Sequence, residues 1–137
     1  MNRTASPSAL VVEGGAMRGI FASGVLDAFI EHDYRPFDFA IGVSAGATNL
    51  LAYLASQHGR SHDILTELAC SQQFMDPLRF AKGGNLVDIH WLWNTSCRKY
   101  PLDIHRYRET GIPFYAVVTN TLTGKAEYIR VKPENMN

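Results

Sequence analysis

Ser44 stands in Gly42-Val43-Ser44-Ala45-Gly46, where a short apolar run ends and a helical pattern begins. A serine hydroxyl held at the tip of a tight strand-to-helix turn can attack a carbonyl carbon. Glycines two residues to either side let the strand and helix close on each other. Such an attack creates an oxyanion, which needs backbone N–H donors aimed at it. A second glycine turn about thirty residues upstream, Gly14-Gly15-Ala16-Met17-Arg18-Gly19, offers them. Losing one such donor typically costs about 3 kcal/mol of transition-state stabilisation. Arg18 can add positive charge or anchor the turn, and the helix after Ser44 adds the positive end of its dipole.

Both turns need elements to hold them. Residues 9–12 are continuously apolar and read as a strand buried on both faces. The pattern over residues 20–30 predicts a helix with Phe21, Val25, Ala28 and Phe29 on one face and Ser23, Asp27 and Glu31 on the other. Residues 37–41 read as a second strand leading to Ser44. A right-handed crossover makes the two strands parallel neighbours, which sets residues 14–19 beside Ser44 at one sheet edge.

After the serine, Ala47, Leu50, Leu51, Leu54 and Ala55 define a helix that Gly59 is expected to stop. Ser61 is expected to cap a further helix carrying Ile64, Leu65 and Leu68. Residues 74–84 read as irregular, with Asp76-Pro77 and Gly83-Gly84 as breakers. Helices are predicted over residues 86–93 and 103–110, the second capped and closed by Gly111. Residues 114–119 and 126–131 read as a hairpin turning at Thr123-Gly124. The order argues one α/β domain over residues 1–137, a sheet of parallel type with flanking helices, after a flexible N-terminus at 1–8.

Composition narrows the function classes. The 137 residues are 46% apolar and 19% charged, ordinary for a globular protein. Lys plus Arg equals Asp plus Glu at 13 each, so the basic field that nucleic-acid binding relies on is missing. Cys70 and Cys97 read as free thiols. With no signal-peptide pattern and no apolar run of spanning length, the expectation is a cytoplasmic protein that touches membranes only at their surface. No cofactor or metal is expected: His58 and His62 are four apart, but Gly59 interrupts the helix between them.

Two other readings fit the residues less well. A dinucleotide fingerprint would need glycine where Ala16 stands and an acidic residue where the second strand ends at Ser44. An α/β-hydrolase places its elbow after several strands, and Ser44 comes too early for that.

The paired turns resemble the patatin-like phospholipases. The family's glycine-rich turn with a basic residue before the last glycine is matched by residues 14–19, and its elbow by residues 42–46. Gly24-Val25-Leu26 is also typical, and the stretch from Asp76-Pro77-Leu78-Arg79-Phe80 to Gly83-Gly84-Asn85-Leu86-Val87-Asp88 is similar to a bacterial subgroup. The resemblance implies hydrolysis of lipid acyl esters by a Ser–Asp dyad, with Ser44 as nucleophile. The backbone of Gly15, Ala16 and Met17, with Arg18 nearby, would form the oxyanion site. Ala16 departs from the glycine many members carry there. The dyad's Asp lies in an Asp-Gly-Gly or Asp-Gly-Ala motif, and this chain has no Asp-Gly. The expectation is therefore the N-terminal part of a longer patatin-like protein, with little activity alone.

Other groups within the chain are weaker candidates for the base. Glu13 ends the first strand but is expected to pair with Arg18 or with loop N–H groups. Asp88 and Asp103 have ready roles as helix caps. His90 and His105 read as surface or packing residues, and Phe80, Trp91, Trp93 and Tyr100 as core more than as a lipid groove. A non-catalytic remnant of the same fold, or a serine acyltransferase with a histidine near Ser44, stand as alternatives.

Overall fold

A computed structural model describes residues 6–136. Strand β1 (Ala9–Val12) leads through a 3₁₀ turn (Ala16–Arg18) into α1 (Gly19–Glu31). Strand β2 (Phe39–Val43) leads directly into α2 (Ala45–Leu54). Next come α3 (Arg60–Asp63), a π-helical turn (Ile64–Leu68), α4 (Pro77–Ala81), α5 (Ile89–Lys99) and α6 (Ile104–Thr110). The hairpin of β3 (Phe114–Thr119) and β4 (Ala126–Val131) follows, then a 3₁₀ turn (Pro133–Asn135).

The four strands lie in sequence order, β1-β2-β3-β4. β1 pairs with β2 in parallel, β2 with β3 in parallel, and β3 with β4 antiparallel. The parallel crossover that the sequence implied is therefore present, and the chain is an α/β protein with a mostly parallel sheet and flanking helices. Leu10, Val12, Ala40, Phe114, Ala116 and Val131 share the face that forms the core with Leu26, Leu50, Tyr53, Leu54 and Tyr107. Leu50 and Leu54 are fully enclosed, each contributing about 2 kcal/mol. Tyr53 is buried among Phe29 and its aromatic neighbours and donates its hydroxyl to the Tyr34 carbonyl at 2.6 Å.

Several sequence expectations need correction. β1 is not buried on both faces: Leu10 and Val12 face the core, and Val11, on the opposite sheet face, is 64% exposed. In α1 the buried positions are Gly19, Ser23 and Leu26, while Phe21 is 80% exposed. Small residues let α1 pack closely against α2, and Ser23 satisfies itself by donating to the Ile20 carbonyl at 2.8 Å. α2 ends at Leu54, and Gly59, in the left-handed region, caps α3 instead of stopping α2. Ser61 lies inside α3 and caps nothing.

Asp76-Pro77 starts a helix: Asp76 accepts from the N–H groups of Leu78 and Arg79, and proline sits in the first turn. Arg79 then holds the following loop by donating to the carbonyls of Gln73, Phe74, Asn85 and Leu86. Helix α5 begins and ends later than its sequence pattern, whereas α6, with Asp103 as cap and Gly111 left-handed, matches it. Phe80 and Trp93 are exposed and stand outside the core. The expected flexible N-terminus falls partly on residues 1–5, outside the described residues. Ser8 is held, its N–H donating to Asp38 and its hydroxyl to the Pro36 carbonyl.

Candidate functional site

Ser44 follows the last residue of β2 and precedes the first of α2. Its backbone has φ 51° and ψ −124°, a conformation that non-glycine residues adopt only when the surroundings enforce it. The enforcement comes from close approach on both sides. A Cβ on Gly46 would lie 2.4 Å from the carbonyl oxygens of Val12 and Glu13, and one on Gly42 would lie 2.6 Å from Ala47 Cα. Bulkier residues at 42 or 46 would push α2 off the sheet. The result is an exposed serine at the carboxyl edge of the parallel strands.

The upstream turn comes to the same place. Val12 is registered with Gly42, so residues 14–19 leave β1 beside the residues that leave β2. A Cβ on Gly14 would meet Ser44 Cβ and the Val43 carbonyl oxygen at 3.2 Å. Ala16 has φ 47°, a left-handed conformation that glycine adopts without the strain a side chain brings. Among the described residues, the backbone N–H groups of Gly15, Ala16 and Met17 donate to no backbone acceptor. Arg18 closes the turn by donating its N–H to the Gly15 carbonyl at 2.9 Å. Its side chain folds back over Gly15, where a Cβ would lie 3.6 Å from Arg18 Nε.

Asn49 is a residue that the sequence reading missed. It is buried, and its Nδ2 donates to the Gly19 carbonyl at 2.8 Å, tying α2 to the end of the glycine turn. The available signal was an amide inside an otherwise apolar helix, next to Leu50 and Leu51.

The weaker candidates for a base are not gathered at the serine, as their expected roles as caps, surface or packing residues implied. Among the described residues no carboxylate or imidazole hydrogen-bonds Ser44, and no ion pair joins Glu13 to Arg18. Asp88 accepts from the Trp91 N–H at 2.8 Å and Asp103 from the Arg106 N–H at 2.9 Å, which uses both as caps. His105 faces Glu109 on its own helix, and His90 is exposed. His58 and His62 turn to different carboxylates, Glu31 and Asp63.

An exposed serine on an enforced strand-to-helix turn thus stands beside a glycine loop from the neighbouring parallel strand, an arrangement similar to that of serine acyl hydrolases of α/β architecture. The chain belongs to the patatin-like phospholipase family, whose model matches residues 10–125. Over 110 residues it is 43% identical to the uncharacterized protein YjjU of Escherichia coli (strain K12), a match covering 78% of this chain and 31% of that relative. The chain thus spans about a third of the length of the curated relative it matches. No solved structure matches it significantly.

Proposed function

We propose that this chain carries the nucleophile half of a lipid acyl-ester hydrolase, with Ser44 attacking the ester carbonyl. The observation that carries the reading is the strained Ser44 backbone with Gly14 packed against it. In the proposed reaction, Ser44 Oγ bonds to the carbonyl carbon while its proton passes to an Asp of the dyad. The oxyanion is met by N–H groups of Gly15, Ala16 and Met17, with Arg18 adding positive charge. The alcohol leaves with that proton, and water then releases the fatty acid and restores the serine. In this reading the Asp lies outside these 137 residues, which is supported by a sequence without Asp-Gly and by the lack of an acid hydrogen-bonded to Ser44 among the described residues. Contact with a membrane surface is part of the same reading, since the substrates are lipid esters.

The test compares the chain with its Ser44→Ala variant for p-nitrophenyl butyrate hydrolysis and for fluorophosphonate labelling. Labelling at Ser44 with little turnover is expected. Clear Ser44-dependent turnover would place a base within the chain. Intact folding without labelling would favour the second reading, a non-catalytic module of the same fold, which is supported by the lack of a base hydrogen-bonded to Ser44 among the described residues. The acyltransferase alternative lacks support among the described residues, where no histidine hydrogen-bonds Ser44.

A further inference from the structure

The chain has no net charge, yet its cations are unevenly placed. Arg108, Arg130 and Lys132 line a cavity of about 320 Å³ between α6, the start of β3 and the end of β4. Arg35 and Arg106 line a second, of about 450 Å³, and Ile112 borders both. Glu134 lines the first and Glu109 the second, while Asp33 and Asp103 pair with Arg35 and Arg106, so the excess positive charge of this corner lies at the first cavity. It lies at the amino edge of β3, whereas Ser44 lies at the carboxyl edge of β2, its parallel neighbour.

The two cavities differ in how their cations are used. Arg35 is spent on Asp33, Ser56 and the Tyr53 carbonyl, and Arg106 pairs with Asp103. Arg108, Arg130 and Lys132 have no hydrogen-bond or ion-pair partner among the described residues. They nonetheless sit on fixed backbone. Arg130 is registered with Tyr115 in the β3–β4 ladder, and Lys132 follows one residue after β4. Arg108 is in the last turn of α6, which the Tyr107 hydroxyl pins to β4 by donating to the Val131 carbonyl at 2.7 Å. Burial raises the Tyr107 pKa, with Arg130 opposing and Glu134 adding to the rise.

We propose that this corner is a binding site for a phosphate-bearing anion, distinct from the Ser44 site. Arg108, Arg130 and Lys132 are exposed cations lining one cavity with a single carboxylate, Glu134, which leaves a net positive charge for an anion to neutralise. Arginine's planar fork matches the oxygens of phosphate. The cavity has room for a phosphate or a phosphodiester headgroup, so free phosphate and an anionic lipid headgroup share the chemistry that would be recognised.

Titration of the isotope-labelled chain with inorganic phosphate, against sodium chloride at matched ionic strength, tests this by nuclear magnetic resonance. Saturable shifts are expected at the amides of Arg108, Gly111, Arg130 and Lys132. The double change Arg108→Gln with Arg130→Gln should weaken binding about tenfold or more, and Arg98→Gln on α5 should leave it unchanged. Lys132→Gln, which alters neither α6 nor the β3–β4 ladder, should also weaken binding and guards against misfolding of the double variant. Sedimentation with phosphatidylcholine vesicles, plain or with about one quarter phosphatidylglycerol, identifies the source. Phosphate saturation without vesicle binding assigns a free anion, and sedimentation that needs phosphatidylglycerol and these three cations assigns a headgroup. Equal, non-saturating shifts in phosphate and chloride without preference for anionic vesicles would overturn the proposal. So would binding indifferent to both variants.

Discussion

Asn49 reaches from the buried side of α2 to the carbonyl of Gly19, 2.8 Å away, and so joins the helix that follows Ser44 to the helix that follows the glycine turn. This one bond fixes the spacing of two loops that come from different strands. Asn49→Ala leaves the Gly19 carbonyl without its partner, and a loss of about 1–3 kcal/mol is expected in urea denaturation. Fluorophosphonate labelling of Ser44 should slow by about tenfold or more under conditions where the variant remains folded, because displaced donors no longer meet the oxyanion.

Gly46 and Gly24 give opposite responses to the same added methyl. Gly46→Ala drives a Cβ to 2.4 Å from two backbone oxygens, so a loss of about 3 kcal/mol or more is expected. Gly24 lies within α1 with nothing within 4 Å of an added Cβ. Gly24→Ala should stabilise by about 0.5–1 kcal/mol through helix propensity. Thermal melts of the two variants check both signs.

The strain at Ser44 can be read as stability. Ser44→Gly relieves the positive φ and should raise stability by about 1 kcal/mol, while Ser44→Ala keeps the strain and should gain little. Both should abolish fluorophosphonate labelling. Equal melting temperatures for the two variants would count against enforced strain.

Acid should loosen the contact between the π-helical turn and α5. Glu67 accepts from Lys99 Nζ and the Tyr100 hydroxyl, and the Lys99 bond chiefly, then the Tyr100 bond, holds its carboxyl below the usual range. A carboxylate with a lowered folded pKa stabilises above its unfolded pKa, and that contribution disappears as pH falls through the folded value. The urea midpoint should therefore fall between about pH 6 and about pH 3, by less in Glu67→Gln than in the parent chain. Glu67 is fully exposed, so the difference should be small and should shrink with added salt.

Local signals were legible where a short stretch settles its own geometry. The β3–β4 hairpin, the α6 cap at Asp103 with its Gly111 stop, and the apolar repeat of α2 all follow from adjacent residues. The orientation of α1 did not, because Phe21 and Val25 suggested a core face that packing against α2 assigned to Gly19, Ser23 and Leu26. Close helix contact selects small side chains, and a hydrophobicity pattern does not register that preference.

Residue types and short spacings sufficed for the two glycine turns, the serine between strand and helix, the α/β class and the absence of an Asp-Gly pair. Only the tertiary structure decided that Gly14 backs onto Ser44, that Asn49 ties the turns together, and that five cations gather at the far edge of the sheet. Each of these joins residues that are far apart in the chain, and strand register and helix packing alone fix such distances.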